Sequence, residues 1–540
     1  MRFRSQFPAA FPVVLGILFF LAGSAFVPLL GIQNDEVFFA GGMYQPYEYR
    51  YGIRLFGERV PLMLLSYLGA TKTWFYAALF SIWPESLESL RWPMLAAGAV
   101  VIWLFFLLLR RVGGLRAAMA GAALLAADAL FLLVTLWGPA MFYHLFLVAA
   151  LLLFVEYQRT QRRWALAGAF FCLGLGMWDK ALFLWALGGM SLAALAAFPR
   201  LVWRAVTPRN AAAAAVAFSL GALPLLLFNV ASRGETLRGN SSFTLSELNT
   251  KARQLHASLD GSMLFDWMVS PPDPAYARQP SAAIERASLR LAEESGNPQR
   301  SIAPLAYLLA LLLLPFLWRS PARAPAVFAL VFIAVAWFQM AITRNAGGAA
   351  HHTILLWPMP QLFAAVVFAE ASRRIGKAGI PVLAVVVLLV AGSNALVLNQ
   401  YFARAVRYGP GTNFTDAVFP MAKVVAASRA RQIVLTDWGM TDSLRLLGGG
   451  TLPLLIATDP LRNPSPGEKE WQLVRNWISD PRHIFVGHTE AAEFQPGSRA
   501  RLRKMAGELG YTPDGLEIIK DECGRPVYEV FRFKPACLER

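Results

Sequence analysis

The sequence predicts an α-helical polytopic membrane protein that carries a small soluble α/β domain at its C-terminal end. Of the 540 residues, 56% are hydrophobic and only 16% are charged, which is too apolar for an ordinary soluble protein. Apolar runs long enough to cross a bilayer recur along the chain. They stop near residue 400, where short apolar segments begin to alternate with charged ones, as in a soluble α/β domain.

The apolar runs predict about eleven transmembrane helices within residues 1–399. The runs fall near residues 11–31, 94–109, 117–135, 141–156, 164–177, 181–198, 211–231, 303–318, 325–343, 353–371 and 380–399. These residues form the predicted membrane domain, and residues 400–540 form the predicted α/β domain.

Arginine and lysine occupy alternate connections between these runs. The basic connections hold Arg2 and Arg4, Arg110, Arg111 and Arg116, Arg159, Arg162 and Arg163, Arg200, Arg204 and Arg209, Arg319 and Arg323, and Arg373, Arg374 and Lys377. The opposite short connections, near 136–140, 177–181 and 344–352, are nearly free of them. Positive charge stays on the cytoplasmic side, so we expect a multi-pass protein of the cell (inner) membrane with its N-terminus in the cytoplasm and its C-terminus outside.

The same distribution accounts for the formal net charge of +16. Nucleic-acid binding is not predicted, because no basic stripe is interleaved with aromatic residues.

Three larger segments fall on the predicted outer side. Residues 32–93 are expected to form one or two helices lying in the membrane interface, since their apolar stretches are too interrupted for a span. Residues 232–302 are expected to hold two amphipathic helices. In the tail, 431–439 and 482–488 predict buried strands, and a hairpin is expected to turn at residues 524–526.

An acidic pair, Asp35 and Glu36, follows the first predicted span directly. Neighbouring side chains on a helix point about 100° apart, so the two do not form a dyad that shares a proton. Asp35 could act as a general base toward an acceptor hydroxyl, or cap a helix. Glu36 could orient a neighbour, bind a metal, or serve as a cap.

Cationic residues lie at the predicted outer ends of later spans. Lys180 and Arg344 could each bind a phosphate, although Lys180 could instead pair with Asp179, and Arg344 with a lipid headgroup. His351 and His352 could interact with a leaving phosphate or bind a metal. No third ligand lies near them in the sequence, so a divalent metal stays an open alternative.

Four further residues are candidates for a second acid or for the lining of a cavity: Asp128, Tyr143, His144 and Asp179. Asp128 lies within the third apolar run, where a buried acid must face the helix bundle or a water-filled cavity. It could equally be a packed polar residue. The chain contains no phosphate-binding loop of the NTPases, no dinucleotide fingerprint, no H-E-x-x-H and no G-x-S-x-G, so ATP-driven transport and zinc proteolysis lose support.

These features together resemble the GT-C superfamily of membrane glycosyltransferases, and within it glycosyltransferase family 39, which includes the aminoarabinose transferases and the protein O-mannosyltransferases. The resemblance covers roughly residues 10–370. It rests on "NDE" at 34–36, on the helices expected in "VPLMLLSYLGATKTWFYAALF", and on "GLGMWDKALFLW" at 174–185, which stands in the place of the family's lysine-bearing segment.

The resemblance implies an inverting transfer of a sugar from a polyprenyl-phosphate donor to an envelope lipid, glycan or protein. It implies that Asp35 acts at the acceptor and that Lys180 acts at the donor phosphate. One departure is that "VTLWGPAMFYHLF" lacks the second aspartate that the family often has near its third and fourth spans. The alternative functions are a transporter or flippase, which would place charges near the bilayer midplane, and a non-catalytic envelope scaffold.

Overall fold

The computed structural model describes residues 3–44, 49–240, 242–344 and 346–536. The chain divides into two compact units: one comprises Met1–Val27, Glu48–Leu264 and Ser288–Gln400, and the other Pro28–Tyr47, Phe265–Ala287 and Tyr401–Arg540. The second unit therefore joins the C-terminal residues with the segment that carries Asp35 and Glu36.

The structure is predominantly helical. The helices are α1 (Phe3–Ser24), α2 (Asn34–Gly41), α3 (Thr71–Phe80), α4 (Leu87–Val112), α5 (Gly114–Ala126), α6 (Ala129–Trp137), α7 (Met141–Thr160), α8 (Arg163–Asp179), α9 (Phe183–Ala197), α10 (Pro199–Ala205), α11 (Pro208–Gly221), α12 (Leu223–Ala231), α13 (Glu235–Asn240), α14 (Leu248–Leu259), α15 (Ala283–Glu294), α16 (Ala303–Leu313), α17 (Arg323–Ile342), α18 (Ala350–Thr353), α19 (Met359–Arg374), α20 (Gly379–Tyr408), α21 (Val418–Ala427), α22 (Thr441–Leu447), α23 (Thr458–Arg462), α24 (Glu468–Ser479) and α25 (Ser498–Glu508). The strands are β1 (Tyr51–Leu55), β2 (Glu58–Met63), β3 (Gln432–Leu435), β4 (Leu454–Ile456), β5 (His483–His488), β6 (Tyr511–Lys520) and β7 (Pro526–Pro535).

Each predicted apolar run is mainly helical, and apart from residues 28–31 the runs belong to the first unit. Within the described residues, six helices are long and apolar enough to cross a membrane, and three bent pairs bring the number to nine if each pair is one span. The bent pairs are α5 with α6, α9 with α10, and α11 with α12. The remaining two predicted spans are the shorter helices α8 (17 residues) and α16 (11 residues).

Small residues allow close helix contacts in this unit. Gly174 on α8 and Gly221 on α11 face each other, and a Cβ atom on either glycine would collide with the backbone of the other helix. Close backbone approach is how helices gain packing energy where lipid offers no hydrophobic drive for association. The α8–α11 contact therefore depends on glycine at these positions.

The segment that follows the first span differs in part from the expectation. It contains two short helices, α2 and α3, but the antiparallel hairpin of β1 and β2 lies between them. The sequence did not predict this hairpin, because its tip, "FGE" at 56–58, carries a weak turn signal. Phe56 and Gly57 there take left-handed backbone angles, with φ of 50° and 89°.

The second unit contains the predicted α/β domain. Its sheet has the order β4-β3-β5-β7-β6, with β3 parallel to both β4 and β5 and with β7 antiparallel to β5 and β6. The strands in 431–439 and 482–488 and the hairpin near 524–526 are confirmed. Helices α24 and α25 cover one face through Val474, Ile478 and Leu502, which pack with Phe485 and Phe531 of the sheet.

Candidate functional site

Three connections that the sequence assigned to one side of the membrane meet in the first unit. The Lys72 ammonium, at the start of α3, donates to the carbonyl oxygens of Pro139 (3.0 Å) and Gly138 (3.4 Å) in the α6–α7 connection. Leu68 forms an antiparallel β-bridge with Lys180 in the α8–α9 connection. The ring of Trp137 meets that of His351, before α19, at 5.5 Å. Residues far apart in the sequence thus form one cluster of polar groups.

Lys180 and two histidines, His351 and His352, lie together in this cluster. The Lys180 side chain is buried, and its ammonium lies close enough to both His351 and His352 to act on them electrostatically. The two imidazole rings lie 4.1 Å apart, and Trp137 and Trp185 meet them edge to face. The arrangement gathers cationic and hydrogen-bonding groups against aromatic walls, a suitable setting for a phosphate.

Asp179, beside Lys180, forms a hydrogen bond with a residue outside the α8–α9 hairpin. Thr71 donates its hydroxyl proton to the Oδ1 atom of Asp179 in a short hydrogen bond. The Oδ2 atom is buried and, within the described part of the chain, has no hydrogen-bond partner. The nearby Lys72 ammonium interacts with this carboxylate electrostatically. A buried carboxylate oxygen without a hydrogen bond is unusual and marks Asp179 as a candidate for substrate contact.

Two buried lysines of this unit, Lys72 and Lys251, were not predicted from the sequence as buried residues. Lys251 on α14 donates to the carbonyl oxygens of Thr343 (2.5 Å), Ala341 (3.2 Å) and Met340 (3.3 Å), at the C-terminal end of α17, and pairs with Glu247 at 2.9 Å. Lys72 has the carbonyl contacts given above. A lysine within the aromatic stretch "TKTWFY" was an available signal for Lys72, whereas Lys251 has the pattern of an ordinary exposed helix lysine.

Arg344 directly follows Thr343, at the end of α17 that Lys251 contacts. Its main-chain N–H donates to the Ser242 carbonyl at 2.8 Å, next to a β-bridge between Phe243 and Thr343, and its side chain is exposed. The backbone at Arg344 is therefore held, while the guanidinium reaches solvent.

Asp128 is not inside a continuous span, contrary to the expectation. The span bends by 59° between α5 and α6, and Asp128 caps α6 at the bend, accepting from the main-chain N–H of Phe131 at 2.8 Å. Its other oxygen accepts from Trp357 Nε1 (3.0 Å) and Gln361 Nε2 (2.9 Å). Three donors bind this carboxylate, so its contacts are those of a packed polar residue.

Tyr143 and His144 are buried and support the backbone just after the histidine pair. The Tyr143 hydroxyl donates to the carbonyl of Leu355 at 2.9 Å, and His144 Nε2 lies 2.9 Å from the carbonyl of Ile354. They therefore fix the segment that carries His351 and His352.

The acidic pair lies on the first turn of α2 in the second unit. Glu36 forms a capping box with Gln33: the Glu36 main-chain N–H donates to Gln33 Oε1 at 3.0 Å, and the Gln33 N–H donates to Glu36 Oε2 at 3.4 Å. Glu36 thus has the capping role that the sequence left open, whereas Asp35 is only half-buried.

Helix α22 of the same unit packs against α2. Asn34 donates from Nδ2 to Asp442 Oδ2 at 3.2 Å, and the Asp442 main-chain N–H donates to Asn34 Oδ1 at 3.1 Å. Arg445 pairs with Asp442 at 2.8 Å. The pKa of Asp442 is raised to about 6, chiefly by burial and also by the nearby carboxylate of Asp35, although Arg445 and Asn34 act in the opposite direction.

Among the described residues, no three histidine, cysteine, aspartate or glutamate side chains are grouped so that they could share one ion.

No known family model matches this chain, and no curated protein matches it in sequence. Solved structures do resemble it. The crystal structure of ArnT from Cupriavidus metallidurans bound to undecaprenyl phosphate superposes with a TM-score of 0.58 at 11% identity, covering 97% of this chain and 98% of that one. The same protein in the apo state gives 0.59 at 11% identity, covering 98% of each chain.

The oligosaccharyltransferase AglB from Archaeoglobus fulgidus, in complex with an inhibitory peptide and a dolichol-phosphate, gives a TM-score of 0.52 at 12% identity. That comparison covers 100% of this chain and 75% of AglB. At such identities the likeness establishes the fold alone, and the chain shares the GT-C fold of ArnT and AglB.

Proposed function

We propose that this chain is an inverting glycosyltransferase of the inner membrane. It transfers a sugar from a polyprenyl-phosphate donor to an envelope lipid, glycan or protein at the outer face. The GT-C fold supports this proposal, as do the bound undecaprenyl phosphate in ArnT and dolichol-phosphate in AglB. The alternation of basic connections supports an outer location for the polar cluster.

The observation that carries the proposal is the grouping of Lys180, His351 and His352 among aromatic side chains. The donor's leaving group is a phosphate whose negative charge grows as the sugar departs. A buried ammonium stabilises that charge more strongly than an exposed one, because the surrounding dielectric is low. We assign Arg344, whose side chain is exposed, as a further candidate cation for the phosphate oxygens.

In the proposed reaction Asp35 accepts the proton of the acceptor hydroxyl. The hydroxyl oxygen forms a bond to the anomeric carbon, from the face opposite the leaving group. The bond from that carbon to the phosphate oxygen breaks, and both of its electrons stay with the polyprenyl phosphate. The anomeric configuration inverts, and no nucleotide is consumed.

Asp35→Asn tests the base. The purified protein is incubated with a panel of undecaprenyl-phosphate monosaccharides and an envelope lipid extract, and the glycosylated product is measured. We expect the rate to fall by about two orders of magnitude or more, because an amide cannot accept the proton. Glu58→Gln, an exposed carboxylate on β2, is the matched control and should retain the native rate. Undiminished turnover in Asp35→Asn would contradict the role of Asp35 as the base, whereas a native protein that forms no product with any donor of the panel would favour a transporter or a scaffold.

Lys180→Gln tests the donor site separately. Binding of undecaprenyl phosphate alone should weaken by about tenfold, the loss expected for one charge-assisted hydrogen bond. The measurement requires no turnover, so it identifies a phosphate site even if the sugar is unknown. Repeating both assays after EDTA treatment, with Mg²⁺ or Mn²⁺ restored, decides whether a divalent metal takes part.

A further inference from the structure

The C-terminal domain contacts the segment that bears the proposed base. Asn34, the residue before Asp35, exchanges two hydrogen bonds with Asp442 of α22, one through its amide N–H and one through its amide oxygen. The two residues are 408 positions apart in the sequence and both are buried. A side-chain amide bound at both ends is fixed in orientation, and the first turn of α2 is fixed with it.

Further contacts surround this pair. Ser443 lies next to Asp442, and its hydroxyl lies 3.5 Å from the Ile32 carbonyl. The Gly31 N–H donates to the Phe414 carbonyl at 2.7 Å, and the backbone at Thr415 leaves no room for a Cβ atom at Gly31. Arg445 holds Asp442 from its other side. The segment from Gly31 to Asn34 is thus fastened to the C-terminal residues at several points, whereas helix α2 alone has only 8 residues.

An eight-residue helix is too short to be stable by itself in water, so its position depends on what it packs against. We propose that Asp442, through Asn34, is a positioning residue for Asp35, and that the C-terminal domain is a working part of the acceptor side of the site. This inference rests on the proposed function, since Asp35 is the base in that reaction. It gives the C-terminal domain a role in catalysis, as the support that holds α2 in place.

The contact is tested by exchanging its partners. Asn34→Asp places a carboxylate against that of Asp442, and the two should repel. The double variant Asn34→Asp/Asp442→Asn restores one amide and one carboxylate with their positions swapped, so the amide at 442 can donate to the carboxylate at 34. Asp459→Asn is the matched control: it removes an exposed carboxylate from the first turn of α23 in the same domain.

Two measurements are made on each full-length variant. Hydrogen–deuterium exchange of the amides of residues 34–41 reports whether α2 is held. Turnover with the active undecaprenyl-phosphate sugar from the panel reports whether Asp35 is in place. For Asn34→Asp we expect faster exchange, a kcat lowered by about tenfold to hundredfold, and a donor KM within about twofold of the native value, because only the base is displaced.

The double variant should recover kcat to within about threefold and restore slow exchange, while Asp459→Asn should behave as the native protein. Unchanged exchange in Asn34→Asp would overturn the contact, and faster exchange with full kcat would overturn its role in positioning. A low kcat that the double variant fails to recover would also overturn it, because a general loss of folding would explain it better. Loss of turnover in Asp35→Asn together with full turnover in Asn34→Asp would overturn the positioning role alone. Full turnover in Asp35→Asn would overturn the role of Asp35 as the base, and a native protein without turnover would overturn the proposed function.

Discussion

Asp128 in the first unit and Asp442 in the second are both buried acids at helix starts, yet their surroundings differ. Asp128 accepts hydrogen bonds from three neutral donors: a main-chain N–H, an indole and a side-chain amide. Asp442 is bound by an arginine and an amide, and a second carboxylate, that of Asp35, lies near it.

The difference distinguishes an acid that supports the fold from an acid beside a site. When neutral protein donors bind both oxygens of a carboxylate, its hydrogen bonds already serve the fold. A carboxylate that faces another carboxylate carries an electrostatic cost, and such costs are concentrated at functional sites. The contacts of Asp128 therefore support a structural role, and those of Asp442 support the proposal that α2 and its partner helix α22 belong to the acceptor side of the site.

Replacing Asp128 should have the largest effect on stability. Asp128→Ala leaves the Trp357 indole and the Gln361 amide buried without their acceptor, which should lower the free energy of unfolding by about 3 kcal/mol. The thermal unfolding midpoint in detergent micelles measures this loss. Turnover per folded molecule should stay at the native level; a fall in turnover at an unchanged midpoint would make Asp128 a second acid of the site instead.

A smaller effect on stability is expected at Lys251. Its ammonium donates hydrogen bonds to three carbonyl oxygens, so, like Asp128, it is bound by three protein groups. Lys251→Met should lower the free energy of unfolding by about 2 kcal/mol, because those carbonyls lose their donor. It should also speed hydrogen exchange at residues 346–352. Arg253→Met, an exposed residue of the same helix, serves as the control. Equal midpoints for the two variants would contradict the structural role of Lys251.

A third effect, which appears only over part of the pH range, is a pH dependence of stability from Asp442. The pKa of Asp442 in the folded state, about 6, lies above the ordinary aspartate value of 3.8, so the folded state binds this proton more tightly than the unfolded state does. Stability from this group is therefore complete below about pH 4 and declines as pH rises to about 6, by roughly 1 to 3 kcal/mol. Asp442→Asn removes this titration. As the pH rises from about 4 to about 6, the thermal unfolding midpoint of the native protein should therefore fall relative to that of the variant. A difference that is constant with pH would mean that Asp442 does not titrate there.

Much of the fold could be predicted from residue types alone. Apolar runs required helices of membrane length, and each run is mainly helical, because an unpaired backbone in an apolar setting is too costly. The strands at 432–435 and 483–488 were also predicted, since short β-branched and aromatic runs favour buried strands. The hairpin of β1 and β2 was missed, because exposed "FGE" is a weak turn signal.

The candidate site was only partly predictable. Lys180, His351 and His352 were found because charged groups at the ends of apolar helices are unusual, and the structure brings these three together. Lys251 was not found, since a lysine on an amphipathic helix normally faces water. Asp442 was not found either, because "TDSLRLL" has the composition of any helix start.

The sequence by itself determined that the chain is a bundle of apolar helices with an α/β tail, since composition and periodicity act locally along the chain. The tertiary structure alone decided which polar groups meet. Thr71 bonds to Asp179, Lys251 to the end of α17, and Asn34 to Asp442, over separations of 108, 92 and 408 residues. Such pairs depend on how helices pack, and packing geometry is a property of the whole fold that no local pattern records.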